Sequence, residues 1–162
     1  MKNVKIYGAG SIGNHLANAA RTLGWNVDIF DIDPEALVRT KEDIYPSRYG
    51  SWDDSIGLFL LDDKSDKDYD YVFVGTPPDK HVEIAISSIK SDKPKSILVE
   101  KPFCTPDLID AQDLYECAKD HGVRIFVGYD HIVGESTTSF TNYLLAQNIG
   151  NLITLDVEFR EH

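Results

Sequence analysis

The sequence predicts an α/β fold, a doubly wound parallel sheet that ends in the first strand of a missing antiparallel α/β domain. Three features support this. Apolar, strand-like runs alternate with helical patterns, a glycine-rich turn follows the first run, and the terminal segment alternates apolar and polar residues. Alternating strands and helices form parallel sheets covered on both faces. We expect a Rossmann-like domain at residues 1–134, followed at 135–162 by a linking helix and the first strand of the truncated domain.

The predicted strands are short apolar runs bounded by glycine or polar residues. We place them at Val4–Tyr7, Val27–Phe30, Tyr71–Gly75, Ser96–Val99 and Val123–Val127. Such runs, without apolar–polar alternation, are typical of strands buried on both faces.

The predicted helices have apolar residues at helical spacing, and several have clear ends. Asp33 is a good N-cap, with Pro34 at the first helical position and Glu35 in the first turn. The helices are placed at residues 12–23, 34 to about 43, 81–89, 105 to about 119 and 136–147.

Residues 44–70 give the weakest pattern. "YPSRYGSWDD" resembles a loop, and "IGLFLL" fits either a short strand or a helical turn. "DDKSDKDYD" is expected to be a solvated, charged connection.

The last segment, residues 152–159, alternates Ile153, Leu155, Val157 and Phe159 with polar residues. This pattern predicts a strand with one apolar face, as in an antiparallel sheet. The strand has no partner in the sequence, so a second domain is expected to begin there. Its exposed edge would also suit self-association into a homo-oligomer.

Composition limits the classes of partner. The 162 residues carry a formal net charge of −11, which disfavours nucleic acid and anionic membrane surfaces. No signal peptide or membrane span is visible. Cys104 and Cys117 lack metal-ligand spacing and are expected to be reduced packing residues in a cytoplasmic protein. No metal site is predicted.

The turn after the first strand reads Gly8-Ala9-Gly10-Ser11-Ile12-Gly13. Gly8 allows a tight turn, Gly10 lets the backbone approach a pyrophosphate, and Gly13 lets helix and strand pack closely. Amide groups at the helix start, including those of Ser11 and Ile12, would face the phosphates. This context predicts a dinucleotide site. A purely structural turn, or a methyltransferase-like site for another nucleotide-like ligand, remains an alternative.

Asp31 ends the second strand, 18 positions beyond Gly13. At this place an acidic residue can accept hydrogen bonds from the adenosine ribose diol. Because Ile32 follows rather than a cation, NAD is favoured over NADP. The alternative is an aspartate that simply ends a strand.

Further motifs follow two later strands: "GTPPDKH" from Gly75 and "EKPF" from Glu100. Together with "GAGSIG", "DIDP", "GYDH" and the "IGNLITLDV" tail, they resemble the Gfo/Idh/MocA oxidoreductase family. The resemblance covers nearly the whole chain, and residues 44–70 are the part that aligns least well. It implies a Rossmann domain followed by an open-faced antiparallel domain that carries much of the substrate pocket.

The resemblance also implies roles for individual residues. Lys101 should lie beside the nicotinamide and the reacting hydroxyl, where a cation stabilises developing alkoxide. Glu100 would hold the nicotinamide ribose, Thr76 and Pro77 would line the cofactor path, and His81 would lie near it. The alternatives are a solvated lysine before a proline turn and a histidine that opens a helix.

The sequence departs from the family pattern at residues 128–133, which read "GYDHIV" where Gly-Tyr-Asn-His-Arg-Phe is usual. His131 is therefore a capping, core or substrate-contacting histidine. The histidine general base that the family carries in its second domain has no counterpart in this sequence.

The expected function is that of the NAD-binding domain of an oxidoreductase. The full enzyme would move a hydride between nicotinamide and a carbinol carbon of a carbohydrate-like small molecule: a sugar, cyclitol or nucleotide-sugar. The alternative is a non-catalytic module that senses NAD(H) or docks a partner through its terminal strand.

Overall fold

The structure is a computed structural model that describes residues 1–147, 150, 151, 153, 154 and 156. The chain divides into two compact units, residues 1–128 and 129–162. The predicted boundary after residue 134 stays a prediction. Most of the predicted strand at 152–159 lies outside the described residues.

The first unit contains a six-stranded, all-parallel sheet in the order β3-β2-β1-β4-β5-β6. This order confirms the doubly wound, Rossmann-like prediction. The strands are β1 Asn3–Tyr7, β2 Asn26–Asp31, β3 Ile56–Leu60, β4 Tyr71–Val74, β5 Ser96–Val99 and β6 Arg124–Val127. "IGLFLL", which fitted a strand or a helical turn, therefore forms a strand.

The helices of the first unit pack on both faces of this sheet. They are α1 Ser11–Thr22, α2 Pro34–Arg39, α3 Tyr45–Tyr49, α4 Pro78–Ser91 and α5 Ala111–His121. One apolar cluster includes Ile6, Ala17 and Ile29 on the α1 side, and a second includes Val74, Ala85 and Leu114 on the α4 and α5 side.

The segment predicted as a loop at 45–54 is partly helical, so that prediction is wrong. After α2, Thr40–Ile44 forms a π-helical turn in which the amide of Tyr45 donates to the carbonyl of Thr40. Pro46 therefore lies in the first turn of α3, where its missing N–H is tolerated. The helical path ends at Gly50, whose φ is +96°.

The predicted helix start at Thr105 is also wrong, since α5 begins at Ala111. The Thr105 hydroxyl bonds to the Asp107 carboxylate instead of capping a helix. Leu108 and Asp110 have φ values of 57° and 55°, which break the helical path. The segment 105–110 consequently forms turns.

The connection from β3 to β4 is anchored more firmly than expected for a solvated segment. Lys67 Nζ lies 2.8 Å from both carboxylate oxygens of Asp28, a residue of β2 that is 1% exposed. The Tyr69 hydroxyl also donates to Asp28, over 2.8 Å. A buried charge needs such partners, so this segment covers part of one sheet face.

Among its described residues, the second unit contains two helices, α6 Asp130–Val133 and α7 Glu135–Ala146. The predicted helix at 136–147 is confirmed by α7. No helix among the described residues is long and apolar enough to cross a membrane.

Candidate functional site

The carboxyl ends of β2, β1, β4 and β5 lie side by side in the sheet. They bring together Asp31, the glycine loop at 8–13, Thr76 and the Glu100–Lys101–Pro102 turn. Ligands of doubly wound sheets bind at this edge, where the strand order reverses. Here the reversal falls between β1 and β4, next to the glycine loop.

Two glycines of the loop allow close backbone packing. Gly8 has φ +102°, and a Cβ on it would lie 2.8 Å from the carbonyl oxygen of Gly75. A Cβ on Gly13 would overlap the carbonyl oxygen of Gly8. The turn, the first helix and the end of β4 can therefore meet only if both positions are glycine.

Gly10 differs from its neighbours because a Cβ there would meet no protein atom within 4 Å. Its backbone is extended, with φ −81° and ψ −166°, a conformation that any residue can adopt. Protein packing and backbone conformation therefore do not explain the absence of a side chain. The open space over Gly10 fits a ligand that lies against the backbone.

The start of α1 offers donors to such a ligand. Gly10 is the N-cap, no side chain caps the helix, and its first turn holds no acidic residue. The first amides of a helix have no intrahelical acceptor and lie at the positive end of its dipole. Ser11, Ile12 and Gly13 contribute these amides, and the arrangement suits a diphosphate.

A buried polar network holds the loop in place. Asn14 Nδ2 donates to the carbonyls of Ala9 and Gly10 over 3.2 and 2.8 Å, and to Thr40 Oγ1 over 3.1 Å. The Thr40 hydroxyl donates to the Ala9 carbonyl over 2.6 Å. Asn14 and Thr40 are both fully buried. The π-helical turn thus fixes the carbonyls on the back of the loop.

Asp31 fixes the loop from its other side. Its Oδ2 accepts the amide of Ala9 over 2.7 Å, and its Oδ1 accepts the amide of Asp33 over 2.9 Å. Asp33 caps α2 by accepting the amide of Glu35, as predicted. This amide, aided by Arg39, holds the pKa of Asp33 below its usual value. Each Asp31 oxygen keeps a second lone pair, so it can also accept a ribose hydroxyl.

The end of β4 contributes Thr76 and Pro77. The amide of Gly75 donates to the Tyr7 carbonyl over 2.9 Å, which aligns this strand end with the glycine loop. Thr76 Oγ1 is buried and, among the described residues, has no hydrogen-bond partner. A buried hydroxyl without a partner is uncommon in folded proteins. Pro77 is the N-cap of α4.

The end of β5 contributes Glu100 and Lys101. The amide of Glu100 donates to the Val74 carbonyl over 3.0 Å, and its carboxylate accepts the amide of Lys101 over 3.3 Å. A Cβ on Gly128, just beyond β6, would lie 2.6 Å from Glu100 Oε1. Lys101 is exposed and precedes a cis peptide bond to Pro102. Its ammonium group is accessible to a ligand.

His81 lies in the first turn of α4 and is 1% exposed. Its Nε2 is 2.6 Å from the Thr76 carbonyl oxygen, and its Nδ1 is 2.9 Å from the Pro102 carbonyl oxygen. The side chain therefore connects the loops that follow β4 and β5.

A separate cavity of about 370 Å³ lies between the start of α4 and the turns at 104–110. Its lining includes four acidic residues: Asp79, Glu83, Asp107 and Asp110. These carboxylates would repel a diphosphate. We therefore locate the candidate dinucleotide site at the sheet edge and not in this cavity.

The residues at the sheet edge fit a dinucleotide. The space over Gly10 and the uncapped amides of α1 suit the diphosphate, Asp31 suits a ribose diol, and Thr76 and Lys101 follow the neighbouring strands β4 and β5. The family model described as "oxidoreductase family, NAD-binding Rossmann fold" matches residues 2–129. The chain belongs to the Gfo/Idh/MocA family. The resemblance predicted from the motifs is confirmed.

Solved structures of Gfo/Idh/MocA dehydrogenases share this fold. The myo-inositol dehydrogenase of Lactobacillus casei, solved with NAD(H) and myo-inositol, has a TM-score of 0.71 and 22% identity. The match covers 93% of the present chain and 43% of the dehydrogenase chain. The WlbA dehydrogenase of Bordetella pertussis, solved with NADH and UDP-GlcNAcA, has a TM-score of 0.67 and 21% identity. The match covers 90% of the present chain and 42% of the WlbA chain. No curated protein sequence matches the chain.

The present chain thus spans less than half the length of these Gfo/Idh/MocA structures. The myo-inositol 2-dehydrogenase of Lactobacillus plantarum gives the same result, with a TM-score of 0.73, 18% identity and 43% of its chain covered. The shared part is the NAD-binding oxidoreductase domain.

Sequence reasoning missed Asn14 and Thr40. Asn14 follows the glycine motif directly but lies outside the apolar stripe of α1, and Thr40 falls where the helix was expected to fade. A polar residue beside the third glycine was the available signal for Asn14. Thr40 had no comparable signal, because its contact spans 26 residues and depends on the π-helical turn.

Proposed function

We propose that this chain is the NAD(H)-binding domain of an enzyme that transfers a hydride between nicotinamide and a carbinol carbon of a sugar, cyclitol or nucleotide-sugar. The observation that carries the proposal is the open backbone at Gly10, beside the uncapped start of α1 and on the same sheet edge as Lys101. The dehydrogenases of similar fold, solved with NAD(H) and with myo-inositol or UDP-GlcNAcA, support the substrate class.

In this proposal the diphosphate lies over Gly10 and accepts hydrogen bonds from the amides of Ser11, Ile12 and Gly13. Asp31 accepts the hydroxyls of the adenosine ribose. Thr76 and Pro77 line the path to the sheet centre, and Glu100 accepts a hydroxyl of the second ribose. Hydrogen bonds from the backbone amides of Ala9 and Asp33 hold the Asp31 carboxylate in place, so the carboxylate need not reorient when the cofactor binds.

Charge at the adenosine end favours NAD over NADP. A 2′-phosphate would lie against the Asp31 carboxylate and be repelled by it. Ile32 is 78% exposed and supplies no cation, and Arg39 is engaged by Asp33 over 3.1 Å. We expect NADPH to bind at least about tenfold more weakly than NADH, because a single unfavourable charge contact costs about 1.4 kcal/mol or more at partly buried sites.

Lys101 is the proposed catalytic residue. In the oxidative direction, the hydride acceptor would be supplied by NAD held at this sheet edge. The Lys101 ammonium would donate a hydrogen bond to the substrate hydroxyl and stabilise the negative charge that develops on that oxygen. The proton would pass to a base outside residues 1–128, as the family resemblance implies.

The two cysteines, Cys104 and Cys117, both carry free thiols. Free thiols are typical of reducing compartments. They support a cytoplasmic location as part of this proposal.

Cofactor titration tests the first half of the proposal. NADH, NADPH and S-adenosylmethionine are titrated into the chain by calorimetry, with Asp31→Ala as the variant. We expect NADH to bind best, and Asp31→Ala to reduce the preference for NADH over NADPH. A chain that folds correctly but binds none of these at millimolar concentration contradicts the proposal.

Substrate turnover tests the second half, using the full-length protein. Inositols, sugar acids and UDP-sugars are screened for reduction of NAD. Lys101→Ala should reduce kcat by about a hundredfold or more while NADH affinity stays within twofold. Lys101→Arg is the matched control that keeps a cation. Equal kcat in Lys101→Ala and the wild type contradicts the assignment.

A further inference from the structure

His81 contacts two backbone carbonyls that belong to different loops. Its Nε2 is 2.6 Å from Thr76 O and its Nδ1 is 2.9 Å from Pro102 O. Carbonyl oxygens only accept hydrogen bonds, so the ring is the donor in these contacts. The side chain is 1% exposed, so both contacts are shielded from water.

These two carbonyls flank the groups proposed to meet the nicotinamide end of the cofactor. Thr76 lies in the loop after β4, and Pro102 directly follows Lys101 after β5. The strand ends themselves are joined through the amide of Glu100 and the carbonyl of Val74. Beyond that bond, among the described residues, His81 is the side chain that hydrogen-bonds to both loops.

The geometry points to His81 as a positioning residue that fixes the Glu100–Lys101–Pro102 turn against the loop of Thr76. This inference rests on the proposed function and refines the sequence-based expectation that His81 lies near the cofactor path. Both ring nitrogens are engaged by backbone carbonyls and the ring is buried, so His81 acts on the cofactor through Lys101 and Glu100. The adenosine end of the site does not depend on it.

The inference predicts a selective effect on the two ends of the cofactor. His81→Phe keeps a flat ring but removes both hydrogen bonds. We expect it to weaken NADH binding about tenfold, since the hydrogen bonds that orient the turn are lost. Binding of ADP, which has the adenosine and diphosphate but neither the second ribose nor nicotinamide, should change less than twofold. Both affinities are measured by calorimetry.

A purely structural histidine would give a different result. Ile89→Ala is the matched control, because Ile89 is also buried on α4 but contacts neither loop through a hydrogen bond. It should lower the melting temperature while leaving the ratio of NADH to ADP affinity unchanged. His81→Gln, which keeps an amide donor, should give an NADH affinity between those of the wild type and His81→Phe. If His81→Phe does not fold, His81→Gln carries the test.

The outcomes separate the inference from the proposed function. Equal losses of NADH and ADP affinity in the His81 variants, or no loss in either, overturn the positioning role while wild-type NADH binding still supports the proposed function. A wild-type chain that binds neither ligand overturns the proposed function itself. In the full-length enzyme, His81→Phe should lower kcat more than it raises KM for substrate, as expected when Lys101 is misplaced.

Discussion

The two halves of the candidate site are held in different ways. The glycine loop is fixed by backbone packing at Gly8 and Gly13, by hydrogen bonds that Asn14 and Thr40 donate, and by the bond that the Asp31 carboxylate accepts from the Ala9 amide. The Glu100–Lys101–Pro102 turn depends on one strand-end hydrogen bond and on His81. The first half offers backbone amides to the ligand, whereas the second offers side chains.

This difference indicates how binding and chemistry are divided. Backbone donors at a rigid loop suit a diphosphate, which is the same in every dinucleotide. Side chains on a turn with few anchors suit the proposed contacts with both nicotinamide and substrate. We therefore expect substitutions in the glycine loop to affect overall affinity, and at Gly8 and Gly13 also folding, whereas substitutions around the turn should affect mainly the nicotinamide end.

The largest effect is expected at Gly13. In Gly13→Ala the new Cβ overlaps the Gly8 carbonyl, so helix and turn must move apart, at a cost of about 3 kcal/mol or more. NADH binding should be lost with the native loop.

Gly10→Ala is the matched control, because its Cβ enters open space. It should leave the melting temperature unchanged but weaken NADH binding about tenfold or more, because the methyl group would occupy the proposed position of the diphosphate. Thermal unfolding and NADH titration measure both, and unchanged affinity in Gly10→Ala would contradict the placement of the diphosphate.

The next effect concerns the network behind the loop. Asn14→Ala removes three hydrogen bonds from a fully buried side chain, so the free energy of unfolding should fall by about 2 kcal/mol. Thr40→Val should cost about 1 kcal/mol, and Thr40→Ser, which keeps the hydroxyl, less. Because the two residues share the Ala9 carbonyl, the double variant Asn14→Ala/Thr40→Val should be non-additive. Strict additivity in urea unfolding would show that the two side chains act independently.

A smaller effect is expected at the second half. In Gly128→Ala the new Cβ would lie 2.6 Å from Glu100 Oε1, so the carboxylate must turn away. The moving group is the end of a flexible side chain, so stability should fall by less than about 1 kcal/mol. NADH affinity should fall about threefold and ADP affinity should not change. Glu100→Ala provides the comparison, and adding Gly128→Ala to it should have no further effect on NADH. A further loss would show that Gly128 acts by another route.

The fold was more predictable than the anchoring of the site. Every strand of the sheet corresponds to a short, mainly apolar run in the sequence. The glycine spacing, together with Asp31, indicated the edge at which the strands end. The contacts that hold this edge are long-range: Asn14 reaches Thr40, and His81 reaches Pro102, 21 residues away. Local patterns do not encode such pairs. The segment 45–54 was predicted as a loop because the π-helical turn before it, which continues the helical path into α3, has no periodic signature in the sequence.

Substitutions at the opposite edge of the sheet, where the strands begin, should have the smallest effect on cofactor binding. Asp70 precedes β4 and accepts hydrogen bonds from Lys95 Nζ over 2.6 Å, the amide of Asn3 over 3.0 Å and Lys2 Nζ over 3.3 Å. The bond from Lys95, then those from Asn3 and Lys2, hold the pKa of the Asp70 carboxyl well below its usual value. Asp70→Asn should therefore lower the free energy of unfolding by about 1 kcal/mol at neutral pH.

The pH dependence of this loss has a definite sign. Because the Asp70 pKa is lower in the folded than in the unfolded protein, its stabilisation is complete above the unfolded pKa of about 4 and is lost as the pH falls toward the folded value. The stability difference between wild type and Asp70→Asn should thus be constant from pH 5 to 7 and shrink below about pH 4. NADH affinity at pH 7 should be unchanged, since Asp70 lies at the amino ends of the strands. A weakened NADH affinity in Asp70→Asn would mean that the two edges of the sheet are coupled, and that the site depends on more than the loops at its carboxyl edge.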